Sequence, residues 1–398
     1  MAELAQSAVL VSSSRDGDLL RGMQSVSGPG QKELNLAEAL LHRYQTVGFQ
    51  ASHLARAFAI CEMMLKPQPP STPLLPEGES LEPSPLVQPT IFLGVTANLL
   101  GTGCREAIRF LCAERAPVQD GVEPAAPPDE MGSSIVGSGG ATVYSPRSSS
   151  TALIHALVVS GGAMEHDIRR ACESYRVSQY GSEEAASPAA GLSQEDPHSR
   201  VSESRFGNVR YRACSASSPS LFSIVMHRLV SRLVESQNEC RALCAASPPP
   251  SAHEDVCSWA ITPSALWHAA GRWLSGIMAE ALLEIGVVSC QRTAEEEGHR
   301  RAQTTVLYWA AVNNVPIFSP SITDGDIMEF IFSATRESRP LQLDLVMDIH
   351  RLNKLAMRSR RTGMIILGGG VVEHPVCNAN LMRNGANYAV FLYHGPEF

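Results

Sequence analysis

Three groups of glycines follow short apolar runs of the sequence, where a backbone can come close to a phosphate. Gly368, Gly369 and Gly370 come directly after the apolar residues 364–367, and two further groups, Gly161-Gly162 and Gly101-Thr102-Gly103, repeat the pattern. A pyrophosphate needs backbone N–H groups at close range, which requires that side chains be absent. A tight turn also uses glycine, but three in a row exceed what a turn requires. The pattern favours a dinucleotide site, although no G-x-G-x-x-G fingerprint is present.

Acidic and histidine side chains lie near these glycines in the sequence. Asp324 and Asp326 flank Gly325, where carboxylates could accept hydrogen bonds from ribose hydroxyls or pair with ammonium groups. An Asx-turn with a helix cap is the alternative, and the pattern alone favours it. His374 and His166 are either ordinary exposed residues or groups that orient a polar substrate. No Ser-His-Asp order, Walker motif or metal-ligand spacing is present, so we predict no metal site.

The elements that must position these residues are short apolar runs alternating with helical patterns. We predict strands at 91–93, 152–159, 315–318, 364–367 and 388–392. We predict helices at 34–65 (broken near Gly48), from about 104, from about 163, and at 221–243, 263–286, 306–312, 341–357 and 378–383. We expect Glu165 and Asp167 to place negative charge in the first turn of the helix that begins at about residue 163. The alternation predicts an α/β fold: a Rossmann-like doubly wound parallel sheet flanked by helices, whose strand-ending loops share one edge.

Composition bounds the class of protein and its domains. Apolar residues make up 44% of the 398 residues, and the net charge of −8 argues against a nucleic-acid partner. No signal peptide and no membrane-length apolar run is seen, so we predict a cytoplasmic protein with no membrane association. We expect an N-terminal arm with helices over 1–66 and a Pro-rich linker over 67–89. A nucleotide-binding domain over 90–398 would follow, with low-complexity insertions at about 116–150, 181–204 and 245–255.

The residues around the third glycine group resemble a known family. TGMIILGGGVV at 362–372, His374, and NANLMRNGA at 378–386 resemble the signature of deoxyhypusine synthases. Phe92-Leu93-Gly94 with Thr96, Asn98 and Leu99 is similar to the family's first nucleotide loop. Val47-Gly48-Phe49-Gln50-Ala51, Phe318-Ser319-Pro320 and Thr323-Asp324-Gly325 match as well. The similarity runs from about residue 34 to the end, interrupted by the insertions.

This resemblance implies a reaction, a cofactor and partners. The family transfers the aminobutyl group of spermidine to a lysine of the translation initiation factor five-A precursor. NAD first takes a hydride from spermidine, and an enzyme lysine then captures the resulting imine. The implied NAD contacts of this chain are Ala97, Asn98, Leu99, Leu100, Gly101, Ser160, Gly161, Gly162, Asp324, Gly369, His394 and Gly395. The implied spermidine contacts are Glu165, His166, Glu329 and His374.

The sequence departs from the family pattern at several positions. Glu165-His166 replaces two adjacent glutamates, and Glu329 replaces a shorter aspartate. Ala97 replaces a serine-type residue, and His394-Gly395 replaces a Thr-Ala pair. No lysine follows Lys354. The resemblance places the nucleophilic lysine beyond the last residue, Phe398, so we expect no catalytic lysine within this chain.

Three functions remain open at this stage. The first is a deoxyhypusine synthase clipped at its C-terminus; we expect this chain alone to bind NAD weakly and to show no turnover. The alternative is a non-catalytic paralogue subunit that binds NAD and supports an active partner. Homospermidine synthase is a less favoured third. The resemblance also implies a homotetramer or a hetero-oligomer with a paralogue.

Overall fold

The fold is built around a central parallel sheet. The computed structural model describes residues 10–12, 24–25, 31–69, 86–117, 122–123, 125, 150–178, 202–212, 219–246, 260–336 and 340–393. The strands, in chain order, are β1 (Leu10–Ser12), β2 (Gln24–Ser25), β3 (Leu86–Val87), β4 (Thr90–Val95), β5 (Arg115–Pro117), β6 (Val122–Glu123), β7 (Ser150–Ala152), β8 (Ala156–Val159), β9 (Arg176–Val177), β10 (Ser202–Phe206), β11 (Val209–Arg212), β12 (Ile317–Phe318), β13 (Thr362–Leu367) and β14 (Tyr388–Leu392).

The central sheet has the strand order β12-β8-β4-β13-β14, and all of its pairings are parallel. Counted along the chain, this order is third, second, first, fourth and fifth. The order therefore reverses between β4 and β13, which is the switch point of a doubly wound sheet, and ligands of such sheets bind there. The predicted fold class is confirmed.

Helices cover both faces of this sheet. Successive residues of each strand point to opposite sides, so an apolar strand presents side chains that must be buried on both faces. Ile91, Leu93 and Val95 of β4 belong to one hydrophobic cluster, whereas Phe92 belongs to the other. All six residues of β4 are buried. The helices are α1 (Gln31–Arg43), α2 (Phe49–Leu65), α3 (Cys104–Ala113), α4 (Gly161–Cys172), α5 (Leu221–Ala246), α6 (Pro263–Glu284), α7 (Gln291–Ala302), α8 (Val306–Val312), α9 (Ile327–Ala334), α10 (Leu345–Arg358) and α11 (Glu373–Met382).

The two clusters have different sizes and different helices. The smaller one joins Phe92 and Ile366 to Leu352 of α10 and Val376 of α11. The larger one takes in most of the remaining helices, including the fully buried Trp267 of α6. Trp267 Nε1 donates a hydrogen bond to Ser319 Oγ at 2.8 Å, directly after β12. The larger core therefore holds a strand-ending loop as well as the sheet.

Several predicted elements differ from the structure. The run at 152–159 is two strands, because β7 turns away to pair antiparallel with β5 and only β8 enters the central sheet. The helix predicted at 341–357 begins at Leu345, where the Asp344 side chain accepts from Met347 N at 2.8 Å. The helix predicted at 378–383 begins earlier, at Glu373. Helices α7 and α9 were not predicted.

A second, antiparallel sheet was also not predicted. Its strand order is β1-β10-β11-β9-β2, and it joins short segments of the N-terminal arm to β9, which precedes the predicted 181–204 insertion, and to β10 and β11. Strand β10 begins at Ser202, within the last residues predicted as insertion. Most of the predicted linker and of the three insertions lies outside the described residues. No helix among the described segments has the length and apolarity needed to cross a membrane.

Candidate functional site

The first loop of the site leaves β4 at the switch point. After Thr96 the chain forms a 3-10 helix, Ala97–Gly101, before α3 begins. Leu100 is fully buried and fixes this short helix to the core, whereas Asn98 is exposed. Thr96 N donates to Leu367 O of the neighbouring strand at 3.1 Å. The loop after β4 is therefore tied to the loop after β13, on the other side of the switch point.

The glycine loop after β13 makes that close approach possible. Gly368 has a φ of +95°, and a Cβ built on it would lie 2.3 Å from Thr96 Cγ2. Gly370 also has a positive φ, of +65°, but its added Cβ would meet nothing within 4 Å. Gly369 has no positive φ, and its added Cβ would meet only Glu373 Oε2, at 3.2 Å. The positive φ values thus favour glycine at Gly368 and Gly370, whereas the backbone of Gly369 does not require it.

The second wall of the site is the N-terminus of α4, directly after β8. Gly161 N donates to Asp324 Oδ1 at 2.9 Å, so the loop after β12 contacts this helix end. Gly325 packs flat against the same helix, because a Cβ there would lie 2.8 Å from Gly162 N. A Cβ built on Gly162 would lie 3.6 Å from the Cβ of Ala97 in the first loop. Three strand-ending loops therefore meet at the start of α4.

Glu165 is buried where α4 contacts the start of α9. Its Oε1 accepts from Ile327 N at 2.5 Å, so the carboxylate caps a neighbouring helix instead of standing in the first turn of its own. Burial, followed by the charge of Asp326, raises the pKa of Glu165 to about 7, against hydrogen bonds from Ile327 and Asp326 and the charge of Arg169. A buried carboxyl with this pKa can gain or lose a proton near neutral pH.

Asp326 and Arg169 form an ion pair next to Glu165. Arg169 Nη2 contacts Asp326 Oδ2 at 3.2 Å, and the Asp326 side chain is 62% exposed. Asp326 makes no side-chain cap to α9, and Asp324 bonds to α4, so the predicted Asx-turn and helix cap are wrong for both aspartates. The loop after β12 instead uses its carboxylates for long-range contacts with α4.

His166 lies in an aromatic cluster instead of beside these carboxylates. Its Nδ1 is 2.8 Å from the Tyr175 hydroxyl, and its ring is 4.9 Å from that of Phe206 and 5.7 Å from that of Tyr211. Burial, with Arg169 nearby, lowers the pKa of His166 to about 4. The imidazole is therefore neutral at physiological pH.

The remaining predicted site residues lie further from these contacts. Glu329 is exposed on the first turn of α9, and His374 is exposed in the first turn of α11, so His374 is a helix residue and not a loop residue. His394 and Gly395 lie outside the described residues. Tyr211 and Phe206 were missed by sequence reasoning, because they follow a low-complexity patch that carries no periodic signal.

One group of possible metal ligands occurs within the described residues. Glu38, His42 and Glu62 bring ligand atoms within 4.8 Å of one another. Glu38 and His42 are exposed and Glu62 is half-buried. The three residues lie on the N-terminal helices α1 and α2 and take no part in the loops described above.

Comparison with known proteins identifies the family. Residues 39–117 and 259–398 match the family model described as deoxyhypusine synthase, which together is more than half of the chain. A deoxyhypusine synthase of Trypanosoma brucei brucei is 61% identical over 402 residues, covering all of this chain and 87% of that protein. The deoxyhypusine synthase of Leishmania donovani is 35% identical over 523 residues, covering all of this chain and 86% of that protein.

A solved structure is also similar. The crystal structure of a chain assigned as a deoxyhypusine synthase from Entamoeba histolytica is 22% identical, with a TM-score of 0.44 over 92% of this chain and 87% of that one. This superposition is loose, and the assignment rests on the sequence matches. By those matches, the chain belongs to the deoxyhypusine synthase family.

Proposed function

We propose that the chain serves deoxyhypusine synthase chemistry, the NAD-dependent transfer of the aminobutyl group of spermidine to a lysine of the translation initiation factor five-A precursor. The observation that carries the proposal is the meeting of glycine-lined loops with a buried carboxylate, Glu165, at the start of α4. A dinucleotide needs the first feature, and a polyamine needs the second.

The residues at the sheet edge fit NAD. Ser160 Oγ is buried and has no hydrogen-bond partner among the described residues, as expected for a hydroxyl that awaits a polar ligand. The absence of side chains at Gly369 and Gly370 suits close approach by phosphate oxygens. When bound, NAD would supply the acceptor for a hydride. The proposed contacts are Ala97, Asn98, Leu99, Leu100, Gly101, Ser160, Gly161, Gly162, Asp324 and Gly369, with His394 and Gly395 beyond the described residues.

Acidic side chains would hold the polyamine next to the nucleotide. Glu165, already near its titration midpoint at neutral pH, would ionise fully when an ammonium group approaches, because the opposite charge lowers a carboxyl pKa. Glu329 and His374 would provide the more exposed contacts. His166 would border the site as a neutral ring.

The same proposal includes the oligomeric state and the cellular location of the protein. Family membership supports a homotetramer, or a hetero-oligomer with a paralogue, and a cytoplasmic location. Sedimentation of the purified chain, alone and mixed with a paralogue, would distinguish a self-assembled particle from a mixed one.

Calorimetric titration tests the two proposed ligands one after the other. NAD is titrated first, and spermidine is then titrated into the NAD-saturated protein. We expect Glu165→Gln and Glu329→Gln to weaken spermidine binding by about tenfold each and to leave NAD binding unchanged. Glu280→Gln is the matched control, since Glu280 pairs with Arg228 between α5 and α6. Absence of NAD binding by the wild type would contradict the proposal.

A further inference from the structure

The hairpin formed by β10 and β11 contacts the first strand-ending loop, although it lies outside the residues that the family model matches. Phe206, the last residue of β10, presses its ring against Gly101. A Cβ built on Gly101 would lie 2.3 Å from the Cζ of Phe206 and 2.9 Å from its Cε1. Real Cβ atoms do not approach a ring this closely, so residue 101 must be glycine while the Phe206 ring occupies this position.

Helix α4 holds the same loop along one face. Residues four apart on a helix share a face, and Gly162, His166 and Arg170 have this spacing. At one end, Gly162 adjoins Ala97, the first residue of the 3-10 helix. At the other end, Arg170 Nη1 donates to Thr102 O at 2.6 Å, one residue past that helix. The loop is therefore fixed to α4 directly at both of its ends.

The last residue of the loop is also held to α4 through Phe206. The Phe206 ring packs against Gly101, and it lies 4.9 Å from the His166 ring on α4. Tyr175 and Tyr211 close the cluster around it, and the two tyrosine rings stack at 4.7 Å. The Tyr175 hydroxyl is bonded to His166, so this half of the cluster is anchored by a hydrogen bond as well as by packing.

We propose that Phe206 is a positioning residue, which holds the first strand-ending loop against α4 in the conformation that receives the nucleotide. This inference rests on the proposed function, because it takes the nucleotide to be NAD and the loop to be one of its walls. Phe206 itself does not need to touch the nucleotide.

The physical reason is preorganisation. A short loop that must be ordered when a ligand binds reduces the affinity by the entropy of ordering it. Leu100 packs the loop onto the core, but the adjoining Gly101 has no side chain, and glycine carries the largest conformational freedom of any residue. The ring of Phe206 packs where a side chain of residue 101 would lie, so its loss should leave Leu100 buried and loosen the turn at Gly101.

A double-mutant cycle tests the inference, with NAD as the titrated ligand and the full chain as the protein. We expect Phe206→Ala to weaken NAD binding by about tenfold. Gly101→Ala should weaken it similarly, because the new methyl group displaces the ring. The double variant should bind no worse than Phe206→Ala alone, since the clash is then absent. Phe206→Leu should recover part of the affinity, and it provides a second variant should Phe206→Ala fold poorly.

Phe110→Ala is the matched control, because Phe110 lies 49% exposed on α3. It should leave NAD binding unchanged. Additive effects of Gly101→Ala and Phe206→Ala would overturn the inference, as would wild-type affinity in Phe206→Ala and Phe206→Leu. Tighter binding by Phe206→Ala would overturn it too, since the ring would then compete with the nucleotide. If the wild type fails to bind NAD, the proposed function fails first and the inference falls with it.

Discussion

Replacing Gly368 by alanine should cost about 3 kcal/mol of unfolding free energy, for two separable reasons. The first is the φ of +95°, which disfavours any residue with a Cβ by about 1–2 kcal/mol. The second is the contact with Thr96, because the new Cβ would lie 2.3 Å from Cγ2 and force a rearrangement that costs about 1–3 kcal/mol. The neighbouring Gly370 has only the first of these, since nothing lies within 4 Å of its added Cβ.

Urea unfolding of matched variants separates the two contributions. Gly370→Ala should lose about 1 kcal/mol, clearly less than Gly368→Ala. Adding Thr96→Ala to Gly368→Ala should recover most of the steric part of the loss, because only the Cβ of residue 96, at 3.0 Å, would remain close to the new Cβ. The conformational part should persist. Equal losses for the two single variants would refute the reasoning, because the close approach to Thr96 would then have no energetic weight. A double variant no more stable than Gly368→Ala would refute it in the same way.

Three further predictions follow from buried or ligand-facing carboxyls. Burial raises the pKa of Glu165 from 4.5 to about 7 in the folded chain, so the stability that Glu165 contributes relative to Gln is full below about pH 4.5 and is lost as the pH rises through 7. In thermal unfolding, the stability difference between the wild type and Glu165→Gln should therefore be smaller at pH 8 than at pH 5. An equal difference at the two pH values would contradict this prediction. Asp324→Ala should weaken NAD binding about tenfold, whereas Asp344→Ala, which removes only the cap of α10, should lower stability without changing NAD affinity. Asp167→Ala should lower the free energy of unfolding by about 3 kcal/mol in urea. Asp167 is fully buried, accepts hydrogen bonds from two backbone N–H groups of α8 at 3.0 and 2.9 Å, and lies 3.9 Å from Arg105. A decrease below about 1 kcal/mol would contradict that role.

The central sheet could be predicted because its strands are continuous apolar runs. Burial on both faces requires such runs, as in β4, where all six residues are buried. The edge strand β14 is less buried, but its apolar run still begins and ends at the predicted residues. The alternation of strands and helices then determined which loops share an edge. The glycine groups at 101–103, 161–162 and 368–370 could be placed at one edge on this basis, whereas the individual contact residues were implied by the family resemblance.

The contacts across that edge could not be predicted, because they join residues far apart in the chain. Glu165 and Asp167 look like charges in the first turn of their own helix, yet each accepts hydrogen bonds from the start of another helix. The β10–β11 hairpin gave no signal, since its strands are short and adjoin low-complexity sequence. Helix α7 was missed for a related reason: its sequence, QRTAEEEGHRRA, is almost entirely polar and shows no apolar stripe.

The central claim of the proposal is that NAD binds against the glycine loop after β13. Gly369 tests this most directly, because it has no positive φ and its added Cβ would meet only the flexible end of Glu373. Calorimetric titration of NAD into Gly369→Val should show an affinity reduced at least about tenfold, with thermal stability close to that of the wild type. Unchanged NAD affinity in a stable Gly369→Val variant would contradict the account.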